Sequence, residues 1–143
     1  MAVRQLTVFL ENRAGRLTDI ITLLSENGID IRAFCLAEKA EYGILRLIVD
    51  DPGKAAEIAR KRNFSVNEMP VIVAEVEDKP GGLAAVLHVF VESGLNIEYM
   101  YVFIEKRGDK ALLVFSVDDV AKAERALDAG NIGMFNDDRM RSL

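Results

Sequence analysis

The stretch Leu6-Thr7-Val8-Phe9-Leu10-Glu11-Asn12-Arg13-Ala14-Gly15-Arg16-Leu17 can be laid over Ile72-Val73-Ala74-Glu75-Val76-Glu77-Asp78-Lys79-Pro80-Gly81-Gly82-Leu83, with position 15 on position 81, an offset of 66. Glu11 then falls on Glu77 and Leu17 on Leu83. Without a gap the same offset carries Glu26 onto Glu92, Gly28 onto Gly94, Ile29 onto Leu95, Asp30 onto Asn96 and Ile31 onto Ile97. Chance does not hold register for so long, so the chain contains an internal repeat. Farther along, Val49-Asp50-Asp51 matches Val117-Asp118-Asp119, position 49 on position 117, an offset of 68. The second copy therefore carries two more residues, around Glu105-Lys106-Arg107-Gly108-Asp109, in a turn, where insertions are tolerated.

Each copy reads in the same order. Val3 to Leu10 and Val71 to Val76 are apolar strands, each followed by a loop with a central glycine. Leu17, Ile20, Ile21, Leu23 and Leu24 then recur at helical spacing, as do Leu83, Val86, Leu87 and Phe90, which gives each helix a core-facing side. Gly28 and Gly94 supply left-handed C-caps. Strand pairs follow, Ile31 to Glu38 with Ile44 to Val49 and Ile97 to Glu105 with Ala111 to Val117, with turns marked by Gly43 and Gly108. Second helices run from about Pro52 to Arg62 and from about Val120 to Ala129, each introduced by an Asp pair able to cap it. A short strand near Phe64 to Asn67 completes the first copy. Its counterpart near Ile132 to Phe135 runs into the polar tail Asn136 to Leu143. The expected modules are residues 1–69 and 70–143.

Of the 143 residues 50% are hydrophobic, enough apolar material for a packed core. The 18 Lys and Arg are scattered and outnumbered by 23 Asp and Glu, for a net charge of −5, so the basic stripe that nucleic acid requires is missing. No apolar run reaches the roughly 18 residues of a membrane span. Met1 is followed by strand-like sequence instead of a signal peptide, which places the protein in the cytoplasm. A lone Cys35 excludes an internal disulfide, and with one His88 there is no Cys/His cluster at metal-ligand spacing. His88 lies off the apolar helix face, at an exposed position instead of a catalytic one. Cys35 is read as a small packing residue, with a pocket-lining role as the alternative.

Two βαββαβ copies, each with a D/N-x-x-G turn between first strand and first helix, resemble the ACT domain family of regulatory ligand-binding modules. The resemblance is carried by Asn12-Arg13-Ala14-Gly15-Arg16-Leu17 with Asn27-Gly28-Ile29-Asp30-Ile31, and by Asp78-Lys79-Pro80-Gly81-Gly82-Leu83 with Ser93-Gly94-Leu95-Asn96-Ile97. It implies an α+β fold of two ferredoxin-like modules side by side, forming one continuous antiparallel sheet with helices on one face, paired through their second strands. It also implies an effector, commonly an amino acid, where one module's first loop meets the other's second strand.

A loop feeding a helix N-terminus presents unpaired N–H groups at the positive end of the helix dipole, a place suited to a carboxylate. Asparagine both donates and accepts hydrogen bonds. The expected ligand-binding residues are therefore Asn12, Arg13, Ala14, Gly15, Arg16 and Leu17 with Asn96, Ile97 and Glu98. A weaker second site would join Asp78, Pro80, Gly81, Gly82 and Leu83 to Asp30 and Ile31, where two acids would repel a carboxylate. The bland alternative is that these glycines and Asx residues only make turns.

The expectation is a non-catalytic sensor with no cofactor and no metal, a homodimer, and a metabolic enzyme or regulator as its partner. Two rivals stay open. One is an interaction or oligomerisation module that binds no ligand. The other is a small acylphosphatase-like enzyme, for which Arg13 and Arg16 lie in a loop but the glycine-rich phosphate signature is absent.

Overall fold

A computed structural model describes residues 2–39 and 41–143, with Glu38 and Lys39 described by their backbone alone. Met1, the first residue of the expected first module, and Ala40 lie outside the described residues. The fold is α+β. The elements are β1 (Val3–Glu11), α1 (Arg16–Glu26), β2 (Ile31–Lys39), β3 (Tyr42–Val49), α2 (Pro52–Lys61), β4 (Ser65–Glu77), α3 (Gly82–Glu92), β5 (Ile97–Val102), β6 (Lys110–Val117), α4 (Val120–Ala129), β7 (Met134–Phe135) and α5 (Asp137–Arg141). The chain divides into two compact units, one of Arg4–Met69 with Arg141–Leu143 and one of Pro70–Met140 with Ala2 and Val3.

In the first unit the strands run β2-β3-β1, all antiparallel, with Leu6 opposite Leu47 and Val8 opposite Leu45. Leu6, Val8 and Leu10 alternate along β1, and Leu45, Leu47 and Val49 along β3, so all six point to one face. They meet Ile20, Leu23 and Leu24 of α1, Ala55, Ala56 and Ala59 of α2, and Phe64, in one buried cluster. Both helices therefore cover the same face of this sheet. Glu68 and Met69 of β4 are tied to β1 by an ion pair from Arg4 at 3.1 Å and by the Thr7 hydroxyl against the Met69 sulfur at 3.5 Å.

The second unit repeats this plan. β6 pairs antiparallel with β4 and β5, and Met134 and Phe135 of β7 lie opposite Ala74 and Val73 of β4. Ile72, Ala74, Val76, Leu113, Phe115 and Val117 pack against Val86 and Phe90 of α3 and Ala123 and Leu127 of α4. The last strand of this copy is thus present, though short. The tail after it forms α5, where Arg139 stacks on the buried Phe135 ring with its guanidinium 4.0 Å from the centroid.

The structure departs from the sequence reading in three places. The strands expected near Phe64–Asn67 and Val71–Val76 are a single strand, β4, of 13 residues. Pro70 lies within this strand and sits exposed, and a proline is tolerated in a strand wherever its missing N–H is not needed by the ladder. Leu17 and Leu83, assigned to the core faces of their helices, are 39% and 41% exposed. Each lies in the first turn of its helix, and the buried apolar side chains begin at Ile20 in α1 and, after the buried Gly82, at Val86 in α3. Gly43 lies inside β3, so the hairpin turn precedes it, and β5 ends at Val102 instead of Glu105.

Candidate functional site

The two first loops are built alike. Gly15 and Gly81 hold φ of 90° and 89°, a left-handed conformation that L side chains avoid, and each occupies the N-cap position of its helix. Their carbonyls accept the amides of Asp19 at 2.8 Å and Ala85 at 3.0 Å. Upstream, the amide of Arg13 bonds the Glu11 carbonyl at 2.8 Å, and that of Lys79 bonds the Glu77 carbonyl at 3.0 Å. A glycine cap has no side chain to offer, and neither α1 nor α3 has a side-chain cap. By contrast, Asp51 and Asp119 cap α2 and α4, accepting the amides of Lys54 at 3.2 Å and Lys122 at 3.0 Å. The amides of Arg16 and Gly82 bond the carbonyls of Arg13 and Lys79 at 3.4 and 3.0 Å, and the other first-turn N–H groups of α1 and α3 are left for solvent or an anion.

The start of each unit's second strand is also fixed twice over in the same way. Asp50 accepts the amide of Asp30 at 3.0 Å and Asp118 that of Asn96 at 3.1 Å.

The first unit carries the Asn12–Leu17 loop with Asp30 and Ile31. The second carries Asp78–Leu83 with Asn96, Ile97 and Glu98. Asn12, Arg13, Ala14, Gly15 and Asn96 are exposed, and among the described residues the Asn12 side chain makes no hydrogen bond. The Glu98 carboxylate is engaged, accepting the Ser116 hydroxyl at 3.0 Å. The two acids of the weaker site are not bare charges. Asp78 is ion-paired to Lys106, and Asp30 to Arg32 at 2.9 Å. Beside the second loop, the Lys79 ammonium lies 2.7 Å from Glu77 and holds its carboxyl below the usual range, first by that hydrogen bond and then by its charge.

One feature was missed by sequence reasoning, an open cleft of about 320 Å³ on the helical side of the first unit. It is lined by Arg16, Asp19, Thr22, Leu23, Glu26, Arg62 and Phe64. The Arg16 guanidinium lies 4.1 Å from the Phe64 ring centroid and 3.8 Å from Asp19, and its buried Nε has no hydrogen-bond partner. The signal was available in the repeat. Arg16 falls on Gly82, Asp19 on Ala85 and Arg62 on Gly130, so of the four charged positions the second copy keeps only Glu92, opposite Glu26.

His88 is exposed and Cys35 half-buried. Among the described residues no three metal-ligating side chains converge, and no helix is long and apolar enough to cross a membrane.

The family model described as an ACT domain pair matches residues 1–143. A crystal structure of a protein from Bacteroides thetaiotaomicron is 34% identical, with a TM-score of 0.92 over 100% of this chain and 98% of that one. The ligand-free regulatory subunit of aspartate kinase from Thermus thermophilus is 15% identical, with a TM-score of 0.64 over 90% of each chain. Its counterpart from Thermus flavus is 14% identical, with a TM-score of 0.60 over 88% of this chain and 90% of that one. The two Thermus likenesses are of fold alone. A search of curated protein sequences finds no match.

Proposed function

The chain belongs to the family of ACT domain pairs, and from that premise we propose that it is a non-catalytic regulatory sensor whose effector is an amino acid. The proposed contacts are the Asn12–Leu17 loop with Asn96, Ile97 and Glu98, and a weaker set is Asp78 and Pro80–Leu83 with Asp30 and Ile31. The observation that carries the reading is the contrast in capping. α2 and α4 are closed by aspartates, while α1 and α3 begin behind left-handed glycines with no side-chain cap. An α-carboxylate suits such an end, because it meets both the free amides and the positive end of the dipole.

The same proposal includes a homodimer acting in the cytoplasm on a metabolic enzyme or regulator. Phe34 and Leu36 on β2, at 53% and 50% exposed, and Val102 on β5, at 58%, give two copies apolar edges to cover. The Thermus proteins of similar fold are regulatory subunits of aspartate kinase, which agrees in kind.

Thermal unfolding of the full chain in the presence of each amino acid tests this reading, since a ligand that binds only the native state raises Tm. One or more should raise it in a saturable way. A chain whose Tm none of them moves, even at high millimolar concentration, would not be an amino-acid sensor.

A further inference from the structure

The cleft between α1 and the end of α2 falls at a place where the second unit carries different side chains, and the repeat shows what was exchanged. Position 62 falls on 130, and both follow the last turn of their helices; Asn63 and Asn131 then take the same left-handed turn, at φ of 66° and 56°. Phe64 and Ile132 next bond back to Ala59 and Leu127 at 3.1 and 2.9 Å. The backbones match, so the side chains decide. In the second unit a Cβ on Gly130 would meet Val89 at 3.4 Å and Ile132 at 3.7 Å, so apolar packing occupies the place. In the first unit those positions are Arg62, Leu23 and Phe64, with Arg16, Asp19 and Glu26 around the opening.

Two cations and two anions line one small space. Arg62 and Glu26 have no ion-pair partner among the described residues, and Arg16, stacked on Phe64, has a long ion pair to Asp19, at 3.8 Å, while its Nε is buried and unbonded. An unpaired buried donor costs free energy that an acceptor would recover. A simple anion entering here would meet Asp19 and Glu26, and a simple cation would meet Arg16 and Arg62. Only a molecule bearing both charges pairs with all four. The volume lies at the lower end of the range for small-molecule sites, about 300–1,000 Å³. We infer that this cleft is a second binding site, specific to the first unit and sharing only Arg16 with the proposed effector loop, for a small zwitterion. Arg16 and Arg62 take its anionic group, Asp19 and Glu26 its cationic group, and Leu23 and Phe64 the short apolar body between them.

The test is a nuclear magnetic resonance titration of the isotope-labelled full chain with glycine, β-alanine and γ-aminobutyrate, and with acetate, methylammonium and inorganic phosphate as single-charge probes. At least one zwitterion should move the Arg16 Nε–Hε signal and the amides of Thr22 and Phe64 saturably, while the single-charge probes leave them in place. Arg62→Gln and Glu26→Gln, both at exposed positions, should each weaken that binding about tenfold, the loss expected from one charged hydrogen bond. Shifts confined to Asn12–Gly15 and Asn96–Glu98 would overturn this site and leave the proposed effector loop standing. Acetate or phosphate acting as strongly as the zwitterions, variants that bind like the parent, or no shift at high millimolar probe would each overturn it as well.

Discussion

The Asp50 carboxylate accepts the amide N–H of Asp30 at 3.0 Å, and the Asp50 amide returns a bond to the Asp30 carbonyl at 3.1 Å. Asp118 and Asn96 make the same reciprocal pair, at 3.1 and 3.3 Å. The next residue in each case, Asp51 or Asp119, caps the following helix. Each Asp-Asp pair thus divides two tasks, closing the open end of a hairpin and starting a helix. Asp51→Ala and Asp119→Ala should each cost about 1 kcal/mol of stability, the usual loss for an N-cap. Asp50→Ala should cost about as much through its lost acceptor, and Asp50→Asn less, because the amide oxygen still accepts. Urea unfolding of the four variants checks this, and an unchanged midpoint for Asp51→Ala would remove the capping role.

Gly82 is required for a different reason from Gly81. A Cβ at Gly82 would stand 2.0 Å from the Glu77 carbonyl oxygen, backbone that cannot swing aside, whereas a Cβ at Gly81 meets nothing within 4 Å but sits at φ +89°. Gly82→Ala should therefore cost about 1–3 kcal/mol or more by overpacking. Gly81→Ala should cost about 1–2 kcal/mol through its left-handed backbone alone. The matching residue in the first copy is Arg16, so its loop accommodates a side chain where the second cannot. Thermal denaturation that ranks Gly82→Ala as stable as the parent would show that the second loop relaxes freely.

The repeat made most of this fold legible. Gly28 and Gly94 were identifiable as left-handed C-caps, and both have positive φ. The Asp pairs were identifiable as helix starts for a chemical reason, a short carboxylate ahead of an apolar periodic run. What the sequence hid was long-range. Pro70 reads as punctuation, yet strand continuity depends on whether its missing N–H is needed, which only the partner strand decides. Leu17 and Leu83 fit the helical apolar stripe, but how far a sheet extends under the first turn is not a local property. For the site, Asn12 and Asp78 are visible as loop residues, while the ion pairs of Asp78 with Lys106 and Asp30 with Arg32 are not. The charged cleft needed the two copies to be compared position by position.

Acid should reach the Glu77 carboxyl of the second loop only after ordinary glutamates have been protonated. The Lys79 ammonium, hydrogen-bonded to the Glu77 carboxylate, lowers its pKa below the ordinary value for a glutamate, and Glu77 in turn raises that of Lys79 above the ordinary value for a lysine. A depressed carboxyl contributes stability above its unfolded-state pKa and loses it as pH falls through the folded value. That contribution is therefore present at neutral pH and fades in the acid range below ordinary glutamates. For Lys79 the sign reverses, and its contribution is complete below its unfolded pKa and lost as pH rises through the folded one. A carboxyl-carbon titration should place Glu77 below a free glutamate, and Lys79→Met should return it toward the ordinary value. Glu77 titrating normally in the parent chain would dissolve the pair as a solution feature.

Under the proposed function, one effector site per chain should dominate, and the ion pairs alter the reason. Repulsion from Asp78 and Asp30 is blunted, because Lys106 and Arg32 already neutralise them. Their second handicap remains. An ionised carboxylate only accepts hydrogen bonds, whereas Asn12 and Asn96 each donate as well as accept, so only the asparagine set can serve both ends of an amino acid. Asn12→Ala and Asn96→Ala should each weaken binding by about 1.5–3 kcal/mol, the range for hydrogen bonds to charged groups, while Asp78→Ala changes it little. Lys106→Met separates the two arguments. It strips Asp78 of its cation, so it should weaken any binding at the second loop and leave the dominant site untouched. Calorimetry with the amino acid that raises Tm most should return one strong site per chain with this mutational pattern. Two equal sites, or loss of the strong site in Asp78→Ala with Asn12→Ala unaffected, would move the effector to the second loop.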